Sequence, residues 1–208
     1  MPVMEGTMAH EELEHAEHAE HAAHSNKRIA LLIACLALGL SISEMLGKSA
    51  QTNAITDNIR ASDTWAFFQA KTIRQTTLRT AAQAVELALA AIEGEPQKAA
   101  MTKQIDDWQK TVARYESEPE TDEGRKELTR RAQAAEHNRD LSLARYHQYE
   151  YASAAYQIGI VLASSAVITG IVALAYGAGG LGIIGIAFTI LGSFAPNALH
   201  LLGGGGGH

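Results

Sequence analysis

The sequence predicts an all-α membrane protein with three transmembrane helices and a long antiparallel helical, coiled-coil-like hairpin between spans one and two. Three observations predict it. Residues 29–43, 157–175 and 181–199 are apolar stretches without a Lys, Arg or Asp, and the Glu of residue 44 falls only at the end of the first. A bilayer core of about 30 Å takes roughly 20 such residues as a helix. The long stretch 48–93 contains neither proline nor glycine. The polar middle, 48–156, interleaves fifteen Lys/Arg with sixteen Asp/Glu.

Whole-chain figures conceal this pattern. Over 208 residues the hydrophobic fraction is 47% and the mean hydropathy −0.06, because the polar middle averages out the apolar stretches. The near-balance of charge in that middle argues against a nucleic-acid partner, which would ask for a basic face. The lone Cys35 allows no intrachain disulfide.

In chain order, residues 1–28 form a His/Glu-rich tail, expected to be disordered. A first span follows at 29–47. The tail holds six Glu before Lys27 and Arg28, and no small-residue cleavage site follows the apolar run, so an uncleaved span is expected over a signal peptide. The hairpin takes 48–156, with its turn near 94–96 and a break near 117–121. Spans two and three take 157–176 and 181–200. Tyr156 and Tyr176 bracket the second as an interfacial aromatic pair would, and Gly177 to Gly180 supplies a tight reversal into the third. Residues 203–208 resemble a linker and tag remnant and carry no argument.

A stripe runs along the first arm: Ile55, Ile59, Ser62, Ala66, Ala70, Ile73, Thr77, Ala81, Ala84, Ala88 and Ile92. Its spacings repeat every eleven residues, about 3.67 per turn, which predicts a straight or slightly right-handed pairing. Its small members let a partner helix approach closely. Gly94-Glu95-Pro96 reads as a helix stop followed by a first-turn proline. Glu118-Pro119-Glu120-Thr121 reads as a second break, with Thr121 as N-cap. A turn at Gly94 gives arms of similar length, whereas a turn at Pro119 leaves a long unpaired tip. Spans one and two are expected to continue into the hairpin as unbroken helices.

Three runs carry a resemblance: NKRIALLIACLALGLSISEMLGKSAQTNAI, WAFFQAKTIRQTTLRTAA and ARYHQYEYASAAYQIGIVLASSAVITG. Together with the His/Glu/Ala-rich tail they resemble the domain-of-unknown-function 4337 family of bacterial membrane proteins over most of residues 10–200. The resemblance implies a three-span protein of the bacterial inner membrane and supplies no activity.

Candidate sites are few. His15, His18, His21 and His24 recur at steps of three between glutamates. In a helix, neighbours would share a face and bind Zn²⁺, Ni²⁺ or Cu²⁺ loosely, or titrate together. The alternative is a solvated tail that binds nothing, and no other cofactor is expected. Glu44 is the one acidic residue within a span. Paired with Lys48 at i+4 it would be an interfacial ion pair; with Ser41 beside it, it would line a pore. Gly159, Ala163, Ser164, Ala166, Gly170, Gly182 and Gly185 offer the small and hydroxyl residues through which helices pack in membranes. Gly47-Lys48-Ser49 lacks the earlier glycine of a phosphate loop, and no H-E-x-x-H is present.

Lys48, Arg60, Arg139 and Arg145 on the hairpin side outnumber Lys27 and Arg28 on the tail side, which favours a cytoplasmic hairpin. Three functional readings follow, none of them an enzyme. One is a homo-oligomeric scaffold or membrane organiser whose partners are itself and the bilayer. The second is an oligomeric channel or transporter-like protein with a path between the spans. The third is an assembly that responds to metal or pH through its tail.

Overall fold

The structure, a computed structural model, describes the backbone of residues 3–198 and the side chains of residues 27–198. Among the described residues it contains four α-helices and no strand: α1 Val3–Leu89, α2 Glu95–Glu116, α3 Arg125–Thr169 and α4 Val172–Phe194. Three segments, Lys27–Leu89, Arg125–Thr169 and Val172–Phe194, are long and apolar enough to cross a membrane. Two compact units form. A polar unit is Thr52–Leu141, and an apolar unit takes α1 up to Gln51, α3 from Ser142, and α4.

In the polar unit α3 and α2 return along α1. Arg139 pairs with Asn58, Trp65 with Glu136, Arg125 with Gln75, and Gln109 with Glu86, so positions fall on the return as they rise on α1. Residues 90–94 make the reversal, and α2 opens with Gly94 as N-cap and Pro96 in its first turn, where a missing N–H costs nothing. The second interruption runs over 117–124. It is longer than the sequence suggests, because Asp122 takes a left-handed backbone (φ 56°), which delays the next helix to Arg125. Thr121 therefore caps nothing.

The face of α1 that the polar unit buries is not the one read from hydrophobicity. Ala54, Ala61, Thr64, Lys71, Gln75 and Ala82 are buried, with Asp57, Phe68, Leu78, Val85 and Leu89 half-buried between them. These steps alternate three and four, a seven-residue period, where the stripe through Ile55, Ile59 and Ile73 has eleven. That stripe faces outward: Ile59 is 56% and Ile73 67% exposed. A hydropathy count misses the true seam because its centre is polar and becomes buriable only through partners on α2 and α3.

In the apolar unit α3 runs antiparallel to both α1 and α4. Tyr156 lies against Gly39 and Gly185, and Tyr149 against Gly47 and Gly192. The core is Leu36, Ala152, Tyr156, Ala163, Ala166 and Ala178, with Ile29 at one end. Two expectations are corrected. Tyr156 is 4% exposed and fills the centre, whereas an interfacial role would leave it at a boundary. The reversal into α4 occurs at Gly170, not at Gly177 to Gly180, so α3 ends at Thr169 and α4 starts at Val172, where apolar helices at 157–176 and 181–200 were expected. Alone among the described glycines, Gly170 takes the left-handed conformation (φ +70°) that ends a helix, and its N–H donates to Ala166 O at 2.9 Å. Ala152, Ala155 and Tyr156, too weakly apolar to mark a span by hydropathy, are buried in the part of α3 that packs on α1 and α4.

Candidate functional site

Two polar constellations form, one in each unit. In the apolar unit they sit toward the C-terminal end of α4. Ser43 and Thr189 share a part-buried hydrogen bond of 2.9 Å between α1 and α4, and Thr189 also donates to Gly185 O. Tyr149 Oη and Ser193 Oγ lie 3.1 Å apart, and Gln148 Nε2 donates to Pro196 O at 3.1 Å, closing the end of α4. These bonds join helices whose close approach the glycines permit. Leu36 enters the gap between Gly159 and Gly182, where a methyl group on either would stand 3.3 and 2.8 Å from it. An apolar groove of about 390 Å³ remains between α1 and α4, floored by Tyr156 and lined by Cys35, Gly39, Gly182 and Thr189.

The candidate residues distribute as follows. Gly159, Ala163, Ala166, Gly182 and Gly185 are buried between helices, Ser164 is half-buried beside them, and Gly170 is in the reversal. Glu44 and Ser41 are exposed on the flank of the unit. Glu44 Oε1 accepts from Gln157 Nε2 at 3.5 Å, a partner the sequence did not suggest, while Lys48 is exposed one turn further along. Its neighbour Ser43 is level with Thr189, five residues before the end of α4, so Glu44, one residue further along, lies about 6 Å short of that end at 1.5 Å per residue. His15, His18, His21 and His24 lie outside the residues whose side chains are described. Among the described residues no three His, Cys, Asp or Glu side chains converge for a metal.

The polar unit holds a junction that sequence reasoning missed. Lys71, 4% exposed, places its ammonium 3.6 Å from Glu118 and 3.8 Å from Glu123, over the rings of Phe67 and Tyr115. One turn on, Gln75 donates to Val112 O and to Glu116 Oε2, each at 3.1 Å. It accepts from Arg125 Nη1 at 2.7 Å. Arg125 also pairs with Glu116 at 2.9 Å and stacks over Phe68. The hydrogen bond from Gln75, with the charge of Arg125 added, holds the Glu116 carboxyl below the usual range against a smaller cost of desolvation. Desolvation pushes Glu127 upward, but the Ser117 hydroxyl and the Glu118 N–H that it accepts outweigh this and hold it low. The interruption at 117–124 is thus tied to α1 by Lys71 and to α3 by Glu127. Nothing in the local sequence marks Lys71 or Gln75 as core, since their neighbours on the same face come from segments some forty residues away.

A family model described as a domain of unknown function (DUF4337) matches residues 25–195. The chain belongs to this family. The match takes in both units and therefore the glycine–tyrosine contacts and the Lys71 junction alike. Searches of the curated proteins and of the solved structures gave no match. The DUF4337 fold is accordingly read from its own packing.

Proposed function

We propose that this DUF4337 chain is an integral membrane protein that self-associates through the outer face of α1 in the polar unit, and that it acts as a helical scaffold or membrane organiser. One observation carries the reading. Directly opposite the buried seam stand Ile59, Ala66, Ile73, Thr80 and Leu87, also seven residues apart, all exposed and none charged. Leu87 is 80% exposed. Thr72, Thr76 and Thr77 beside them spend their hydroxyls on carbonyls one turn back in the same helix. The outer faces of α2 and α3 are different in kind. They carry Lys103, Asp106, Asp107 and Lys110, and Lys126, Arg130 and Arg131. A solvated helix does not keep an uncharged seam over about 42 Å without burying it. The seven-residue period suits a coiled-coil partner of the same length, and a second copy supplies one. Light scattering of the full chain in detergent should give an oligomer, reduced to smaller species by Ile59→Glu with Ile73→Glu. A monomeric parent overturns the reading.

A second reading rests on Glu44. Its carboxylate is exposed on the flank of an apolar helix group, met by the Gln157 amide, and a charge at that depth in a bilayer calls for a polar neighbour. In an oligomer, that flank would face a path between copies. Ion flux through liposomes carrying the chain, lost with Glu44→Gln, supports this reading; flux equal to empty liposomes removes it. The excess of Lys and Arg on the polar-unit side favours placing that unit in the cytoplasm.

A further inference from the structure

The apolar groove between α1 and α4 holds one unspent hydroxyl. Thr189, in its lining, already bonds Gly185 O and Ser43. Tyr156, its floor, is 4% exposed, and the Tyr156 hydroxyl has no hydrogen-bond partner among the described residues. Nor is that hydroxyl sealed. The unpartnered polar side-chain atoms closed off inside the protein are Arg125 Nε, Arg145 Nε and Gln148 Oε1, and Tyr156 Oη is not one of them. It opens into the groove beside Gly39, where an added methyl carbon would stand 3.2 Å from it. An O–H left without an acceptor costs free energy, so this one marks the place of a partner that the groove can admit.

Depth and chemistry say which partner. The Tyr156 ring packs on Gly185, nine residues before the end of the 23-residue α4. It is therefore about 14 Å inside that end, close to the middle of a helix about 34 Å long. Phosphates and ester groups lie at or beyond the edge of a hydrocarbon core about 30 Å thick, and its centre holds no water. An acyl chain reaches the groove but offers no acceptor. We propose that the groove binds a membrane-dissolved carbonyl compound, an apolar ketone or quinone, whose oxygen accepts from the Tyr156 hydroxyl. An alcohol fits less well, because it brings a second O–H and leaves one of the two unpaired. The groove, about 390 Å³, is within the range of about 300–1,000 Å³ for small-molecule sites, which are apolar with few polar groups. The inference rests on placing the apolar unit in the bilayer and not on self-association, so a monomeric chain would leave it standing.

Cys35 reports occupancy, because it is exposed, lines the groove and is the one thiol of the chain. Its alkylation by an apolar maleimide is followed in the full chain in detergent, with a mid-chain dialkyl ketone or the alkane of equal length added at matched mole fractions. The ketone should protect Cys35 at about tenfold lower mole fraction than the alkane, the worth of one hydrogen bond. Tyr156→Phe removes only the oxygen, so it should bring the ketone level with the alkane and leave the alkane unchanged. Equal protection by ketone and alkane in the parent overturns the proposal without needing any variant to fold. A preference for the ketone that survives Tyr156→Phe overturns the role of the hydroxyl. Protection without any ligand that grows with chain concentration would give the groove to a second copy instead. A chain that stays soluble without detergent would sink the membrane placement itself.

Discussion

Tyr156 occupies the space that a side chain at Gly185 would need: a methyl group there would stand 2.7 Å from its ring. The ring cannot swing away, because Gly39 on the opposite side leaves 2.8 Å for the same addition. Gly185→Ala should therefore destabilise the apolar unit by about 1–3 kcal/mol, as overpacking does. Gly180→Ala meets nothing within 4 Å and should stabilise α4 by about 0.5–1 kcal/mol through lost unfolded-state freedom. Thermal unfolding in detergent checks both, and a lower midpoint for Gly180→Ala than for Gly185→Ala would contradict the packing described.

Gly170 ends α3 with φ +70°, and no atom crowds its Cα. Its substitution therefore tests backbone conformation alone. Gly170→Ala should cost about 1–2 kcal/mol, the penalty of the left-handed region for a residue with a Cβ. Gly170→Asn should cost less, since asparagine tolerates that region. Equal midpoints for the two variants would place the reversal elsewhere.

The apolar helices were legible in the sequence because a span is a property of composition over some twenty residues, and composition is local. The two helix breaks of the polar unit were legible for a similar reason: Gly94-Glu95-Pro96 and Pro119 act on their own backbone. The seam of α1 was not. Ile55, Ile59 and Ile73 look like core, and Lys71 and Gln75 like surface, until Glu118, Glu123, Val112 and Arg125 are brought beside them. The centre of the apolar unit was hidden likewise. Tyr156 looks interfacial until Gly39 and Gly185 arrive from two other helices to give its ring a slot.

Lys71 gives the clearest test of the junction, because Trp65 and Trp108 are the only tryptophans and both lie in the polar unit. Removing a charge partner from a buried pair costs several kcal/mol, but the side chains of Glu118 and Glu123 are 23% and 51% exposed and can rehydrate. Lys71→Ala should therefore cost about 2 kcal/mol, part of it the lost stem packing on Phe67 and Tyr115. Lys71→Met keeps that stem and should lose about half as much. Urea unfolding followed by tryptophan fluorescence reads the order; Met no better than Ala would show that the stem contributes nothing.

Acid should loosen the interruption at 117–124 before it unfolds the rest of the polar unit. Glu116 and Glu127 both have folded carboxyls held below their ordinary value. A carboxyl with a depressed folded pKa contributes stability that is fully present above its unfolded value, about 4.3. That contribution is lost as pH falls through the lower folded value. Protonating Glu116 weakens its bonds to Gln75 and Arg125; protonating Glu127 weakens those from Ser117 and Glu118. The segment linking α2 to α3 then loses carboxylate ties on both sides. Hydrogen exchange between pH 6 and pH 3, corrected for intrinsic rates, should show protection falling first at 112–128, with Glu127→Gln already low at pH 6. Uniform loss across α1, α2 and α3 would mean that these two carboxylates do not govern the acid response.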